Sequence, residues 1–335
     1  MKDWITKIFT KEILTMNKKD MIMTNGTLTT MKDFAETIRQ SMEAYYGAGY
    51  CIEVHSVIKN NDCHMTGLAI RSNKCNIAPT IYLDKFYEAY LNGMTMEHVC
   101  REVIYIYETN KVEDSFDIKY FADFSNVRSR ICYKLVNAER NKEMLSDMPH
   151  IRILDLALVF YVLINIDRDG TQTIAVRNYM QDIWKVSTET LYEEAKQNTS
   201  RLFPCDIKPM RDIIREMMEL EMDKDSVDEY FDMMPEEDVP MEMYVISNKF
   251  RISGAVAIFY KDVLKNLANQ LDCDLYILPS STHETILLPV TESNMNAEGL
   301  REMVQEVNRT QVLEQEQLSD NVYIYIRSKD RVELL

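Results

Sequence analysis

The run from Leu154 to Ile166, Leu-Asp-Leu-Ala-Leu-Val-Phe-Tyr-Val-Leu-Ile-Asn-Ile, constrains this chain more than any other stretch. Its uninterrupted apolar part, Leu156 to Ile164, is nine residues long. A membrane-spanning helix needs about twenty, so the run reads as a strand, central in its sheet. Asp167-Arg168-Asp169-Gly170 follows as a turn, and Thr171 to Val176 returns antiparallel. The turn resembles the start of a calcium loop but lacks the remaining ligands at the required spacing.

The segments before this hairpin alternate between helix and strand patterns. Thr30 followed by Asp33 is a helix N-cap arrangement, and Phe34, Ile38 and Met42 then share one face. Gly47 and Gly49 end that helix. Tyr50 to Ile58 and Cys63 to Ile70 read as strands, joined by Lys59-Asn60-Asn61-Asp62, whose Asn and Asp tolerate left-handed backbone. Ile81 to Asn92 reads as a helix stopped by Gly93, and Thr95 opens another with Val99, Val103, Ile106 and Tyr107 inward. Val127 to Val136 alternates as a half-buried strand.

After the central hairpin, Ser187 caps a helix that runs to about Arg201, and Pro209 to Leu220 is a further helix. Beyond residue 242 the pattern reads β-β-α-β-β-α-β-β, with Ile252 to Tyr260 as its second strand. The expected fold class is α+β: antiparallel hairpins and small sheets covered by helices, with a two-layer C-terminal unit.

At 335 residues the chain is long enough for two domains, and 46% apolar against 27% charged residues calls for a packed core. The net charge of −16 disfavours nucleic acid and anionic membrane surfaces. Seven cysteines, none in a Cys-x-x-Cys pair, read as reduced thiols. Cys51, Cys63 and Cys75 are spaced by twelve near His55 and His64, but a zinc site wants tighter pairs. The opening residues show no uninterrupted apolar region and no cleavage site, so a cytoplasmic protein without membrane insertion is expected.

Residues 212–242 stand apart. They hold thirteen acidic residues against Arg215 and Lys224, and so supply −11 of the −16. They also hold six methionines. The plain reading is a solvated helix and an acidic linker. The functional reading is a docking segment for a protein partner, centred on Met233, Met234, Glu236, Glu237 and Asp238, because methionine adapts to irregular surfaces. The expected domains are an extension over 1–30, an α+β region over 31–222, an acidic linker over 223–241 and an α+β unit over 242–335.

The densest polar cluster within apolar sequence lies between Asp274 and Val290. Two apolar runs flank Ser280, Ser281, Thr282, His283 and Glu284, and the pattern reads as a buried hairpin with a polar tip. An imidazole beside a carboxylate suits acid–base chemistry. A serine nucleophile would also need a strained elbow and oxyanion donors, and no Gly-x-Ser-x-Gly occurs. The plainer reading is a turn held by Ser and Glu bonds to backbone. His150 and Asp155, beside the central strand, are the candidate metal or acid–base partners of His283 and Glu284. No phosphate loop, dinucleotide fingerprint, His-Glu-x-x-His or kinase set is present, and the residues identify no cofactor.

Several stretches together bring a family into view: Asn76-Ile77-Ala78-Pro79-Thr80-Ile81-Tyr82-Leu83, Tyr133-Lys134-Leu135-Val136-Asn137 and Pro149-His150-Ile151. Leu154-Asp155-Leu156-Ala157, Gly254-Ala255 and Leu275-Tyr276-Ile277-Leu278-Pro279-Ser280-Ser281 continue the pattern. With these the chain resembles an uncharacterised bacterial family, a domain of unknown function common in gut-dwelling Gram-positive bacteria. The likeness covers about residues 31–335. It implies a cytoplasmic protein and assigns no activity, so no catalytic role is carried over. The expected function is a non-catalytic binding or regulatory protein with a protein partner. The alternative is a small hydrolase or metal-dependent enzyme using His283 and Glu284, with His150 and Asp155.

Overall fold

The structure, a computed structural model, describes residues 30–75, 78–111, 118–167, 170–220, 222–233, 243–291 and 297–335. These residues form an α+β protein of antiparallel sheets and helices. They divide into two compact units. The first holds the described residues up to Lys59 with His64–Ile118, and the second holds Asn60–Cys63 with Lys119–Leu335.

The first unit opens with α1 (Met31–Tyr46). Thr30 Oγ1 accepts the Asp33 N–H at 3.1 Å, which satisfies an N-terminal donor that the helix itself leaves unpaired. Gly47, at φ 69°, ends the helix in a conformation that glycine adopts without strain. A three-stranded sheet follows in the order β1 (Tyr50–Ile58), β2 (His64–Ser72), β3 (Thr80–Tyr82). The start of the helix expected over 81–92 is strand instead. Ile81 pairs with Leu68, and only after the Leu83 N–H has bonded to Thr66 O does α2 (Asp84–Leu91) begin. α3 (Met96–Asn110) closes the unit, and Phe34, Ile38, Leu68, Ile70, Val99 and Val103 form its core.

α4 (Ile118–Ala122), which belongs to the second unit from Lys119 onward, and α5 (Phe124–Val127) lead into β4 (Ile131–Asn137). α6 (Lys142–Ser146), β5 (His150–Ile153), β6 (Leu156–Asp167) and β7 (Gly170–Ala175) follow. β6 is central, as its sequence predicts. β4 pairs along one edge, and β5 and β7 share the other. β4 is not the half-buried strand that its alternation suggests, for only Lys134 escapes burial. Ile131, Tyr133 and Leu135 join the main core, while Cys132 packs with Tyr161, Leu163 and Phe203.

α7 (Asn178–Trp184) and α8 (Thr188–Leu202) precede a second sheet. Its members are β8 (Cys205–Pro209), β9 (Tyr244–Asn248), β10 (Leu275–Leu278), β11 (Thr285–Pro289), β12 (Tyr323–Ile326) and β13 (Arg331–Leu334). The strand order is β13-β12-β10-β11-β9-β8, with every pairing antiparallel. β8 precedes the acidic segment and β9 follows it, yet they pair from Cys205↔Asn248 to Pro209↔Tyr244. The compact units therefore do not divide where the composition suggested a linker.

α9 (Met210–Met218) and α10 (Lys224–Met233) lie between those two strands in sequence, and α11 (Val263–Leu271) and α12 (Ala297–Thr310) complete the unit. The second strand expected over 252–260 is a buried 3-10 segment, Gly254–Phe259. One apolar cluster joins both sheets to this segment: Leu158 and Phe160 of β6, Ile246 of β9, Ile277 of β10, and Ala255 to Ile258. The Leu, Ile, Val and Phe side chains among them each contribute about 1.5–3 kcal/mol of burial free energy.

Candidate functional site

The stretch from Asp274 to Val290 folds as the hairpin its pattern predicts, pairing from Leu275↔Pro289 to Leu278↔Ile286. Its polar tip is pinned from two sides. The Thr282 N–H donates to Glu316 O at 2.8 Å, the Leu318 N–H to Ser280 O at 3.0 Å and the Ser319 N–H to Pro279 O at 3.0 Å. From the other side the Ser247 hydroxyl donates to His283 O at 2.7 Å, and the Ala255 N–H to Thr282 O at 3.2 Å. Gly254 makes this approach possible. A Cβ there would lie 2.2 Å from Ser247 Oγ and 2.6 Å from His283 O.

Ser281 Oγ accepts the His283 N–H at 2.9 Å, a local turn bond. The His283 ring is held by its Nδ1, which accepts the Ser253 N–H at 3.2 Å. That bond places the ring hydrogen on Nε2 in the neutral form. Nε2 lies 4.0 Å from Glu316 Oε1. Neutral His283 is therefore a hydrogen-bond donor here, since its one basic nitrogen is already occupied. Arg251, Ser281, His283, Glu284, Gln311 and Glu316 line a cleft of about 370 Å³.

The loop that carries Arg251 is shaped by Asn248. Its side chain accepts the Phe250 N–H at 3.0 Å and donates to Ile252 O at 2.7 Å. Arg251 and Ser253 are both left-handed, at φ 54° and 50°. Such backbone is uncommon outside glycine and persists only where neighbours enforce it.

The structure thus brings Ser281, His283 and Glu284 to one cleft, while Ser280 does not line it and uses its carbonyl to accept the Leu318 N–H. His150 and Asp155 do not line it. His150 sits on β5, with Nδ1 2.9 Å from Met148 O. Asp155 occupies the turn before β6 and accepts from Ser319 Oγ at 2.8 Å, Asn321 Nδ2 at 2.9 Å and the Tyr323 hydroxyl at 2.6 Å. Burial, reinforced by this carboxylate, holds the Tyr323 phenol well above its ordinary pKa. Among the described residues no three His, Cys, Asp or Glu side chains are placed to hold a metal ion. Sequence reasoning missed Arg251, Gln311 and Glu316, because nothing in the linear pattern pairs residue 283 with residues 251 or 316.

A second feature lies on α9, α10 and their connection. Val227 and Phe231 are buried, and Arg211 and Arg215 stack over the Phe231 ring at 5.2 and 4.9 Å. Four large apolar side chains face water nearby: Met217 at 63% exposure, Leu220 at 87%, Met222 at 46% and Tyr230 at 51%. Met233 ends α10, while Met234, Glu236, Glu237 and Asp238 fall outside the described residues. Among the described residues no helix is long and apolar enough to cross a membrane.

Comparison with curated proteins and with solved structures gave no match. The family of unknown function DUF5688 matches over residues 31–327, which span both compact units and every wall of the cleft, and the chain belongs to that family.

Proposed function

We propose that this is a non-catalytic binding or regulatory protein of the cytoplasm, and that its partner is a protein met along α9, α10 and the acidic residues that follow. The exposure of Met217, Leu220, Met222 and Tyr230 within one short acidic stretch carries this reading. Apolar surface gathered among carboxylates is stabilised when a partner covers it, and methionine adapts to the shape of that partner. Seven cysteines, none of them in a disulfide, fit a reducing compartment. A hydrolase or metal-dependent enzyme built on His283, Glu284, His150 and Asp155 is less favoured, since the Ser281 oxygen and His283 Nδ1 are engaged by main-chain N–H groups.

Deleting residues 223–240 would be a poor test, because it removes the buried Val227 and Phe231. The better variant combines Met217→Glu, Leu220→Glu and Tyr230→Ala, all at exposed positions. Wild type and variant are immobilised, extracts of the source cells are passed over both, and bound proteins are identified by mass spectrometry. The expected result is a partner retained by wild type and lost by a variant of unchanged thermal stability. Identical protein sets on both would overturn the proposal.

A further inference from the structure

The cleft beside His283 carries a charge pattern that binding along α9 and α10 does not use. Its cationic wall is Arg251, whose guanidinium lies 4.0 Å from Glu216, a carboxylate that Lys208 holds more closely. Arg251 is thus loosely engaged and available. Its anionic wall is Glu284 and Glu316. Glu284 is half-buried with no ion pair or hydrogen bond to its side chain among the described residues. Among the described residues the Glu316 carboxylate has only the distant His283 Nε2. Both carboxylates line the cleft and are open to a cationic ligand. The left-handed Arg251 and Ser253 add local strain at the same wall, as is common where a backbone is shaped for a ligand.

A lining of one guanidinium and two carboxylates gives the cleft one excess negative charge while His283 is neutral. Its complement is a small molecule with one carboxylate and two cationic groups. A volume of about 370 Å³ is at the small end of the range for ligand pockets, about 300–1,000 Å³. We infer that the cleft binds a free basic α-amino acid, its carboxylate on Arg251 and its cationic groups on Glu284 and Glu316. The guanidinium fork suits a carboxylate, which accepts two parallel N–H bonds. Gln311, whose Nε2 donates to Thr310 Oγ1 at 3.2 Å, keeps its amide oxygen for a further N–H.

The test uses the full chain and follows the His283 ring proton by NMR while L-lysine is added. L-norleucine lacks the second cation, cadaverine lacks the carboxylate, and Nα-acetyl-L-lysine amide offers only the side chain that a protein would present. The expected result is a saturable shift with L-lysine and binding at least about tenfold weaker for the other three. Arg251→Met should reduce L-lysine to no better than cadaverine, without weakening cadaverine. Arg251→Lys, which keeps the charge without the fork, should fall between, and Glu316→Gln should weaken L-lysine and cadaverine alike. No saturable shift with L-lysine, or equal affinity for L-lysine, L-norleucine and cadaverine, would overturn the inference. Equal binding of the acetylated amide would also overturn it, by making the cleft a reader of protein lysines. The α9 and α10 variant described above should bind L-lysine normally, so this site and the partner surface fail or stand separately.

Discussion

The hydroxyl of Tyr323 donates to Asp155 Oδ1 at 2.6 Å, and through that bond β12 is tied to the turn that opens β6. The same carboxylate accepts from Ser319 and Asn321, in the chain segment that pins the hairpin tip. Asp155→Ala would leave three donors unpaired at once. An orphaned buried donor costs about 1–3 kcal/mol, so a loss of about 3 kcal/mol or more is expected in urea unfolding. Asp155→Asn, which keeps one acceptor oxygen, should lose less, and Tyr323→Phe about 1–2 kcal/mol. A loss under about 1 kcal/mol for Asp155→Ala would show that the carboxylate does not hold this junction.

Gly254 separates a steric requirement from a conformational one. An added Cβ meets Ser247 Oγ, His283 O and the Asn248 nitrogen at 2.2, 2.6 and 2.7 Å, and two of these atoms are backbone. Gly254→Ala should destabilise the protein by about 2–3 kcal/mol and shift the His283 ring resonances. Gly49 is the control, since nothing lies within 4 Å of a Cβ built there. Gly49→Ala should be neutral or stabilise by about 0.4–1 kcal/mol. Equal thermal stability of the two variants would contradict the packing around residue 254.

Burial raises the phenols of Tyr133, Tyr161, Tyr260 and Tyr323 above the ordinary tyrosine value of about 10. In the unfolded chain these groups lose protons near pH 10, while in the native state they keep them. The unfolded state then binds fewer protons, so stability falls as pH rises. Their contribution is fully present below about pH 10 and is lost above it. Urea midpoints should hold steady to about pH 9 and drop steeply beyond about pH 10, with tyrosinate absorbance rising as the protein unfolds. A midpoint that stays level through about pH 11 would contradict the burial of these hydroxyls.

Burial also pushes the Cys100 thiol up to about 11 and the Cys132 thiol up to about 12. Both side chains are fully shielded from water. The reactive species is the thiolate, so iodoacetamide at about pH 8 should leave both unlabelled in the native protein. Peptide mapping after labelling should find them modified only at denaturant concentrations that unfold the chain. Rapid native labelling of Cys132 would mean that the pocket formed with Tyr161, Leu163 and Phe203 opens without global unfolding.

Local chemistry settled much of this protein from its sequence alone. The Thr30 cap, the Asn61 and Asp62 turn, the central strand after Asp155 and the hairpin from Leu275 to Pro289 each follow from neighbouring residues, whose backbone preferences and periodicities act over a few positions. The α+β class follows from those same patterns. Tertiary structure decided what depends on distant neighbours. β4 has both faces buried because Phe203 covers Cys132, and residues 254–259 form a buried 3-10 segment whose Gly254 leaves no room for a Cβ beside Ser247 and the His283 carbonyl. β8 and β9 share a sheet across the acidic segment because strand pairing joins residues far apart in sequence. The cleft belongs to the same class. His283 and Glu284 were visible as a polar tip, but Arg251 and Glu316 reach it only after β9, β10 and β11 have paired. Periodicity reports which face of an element is apolar; it carries no information about which distant element will cover that face.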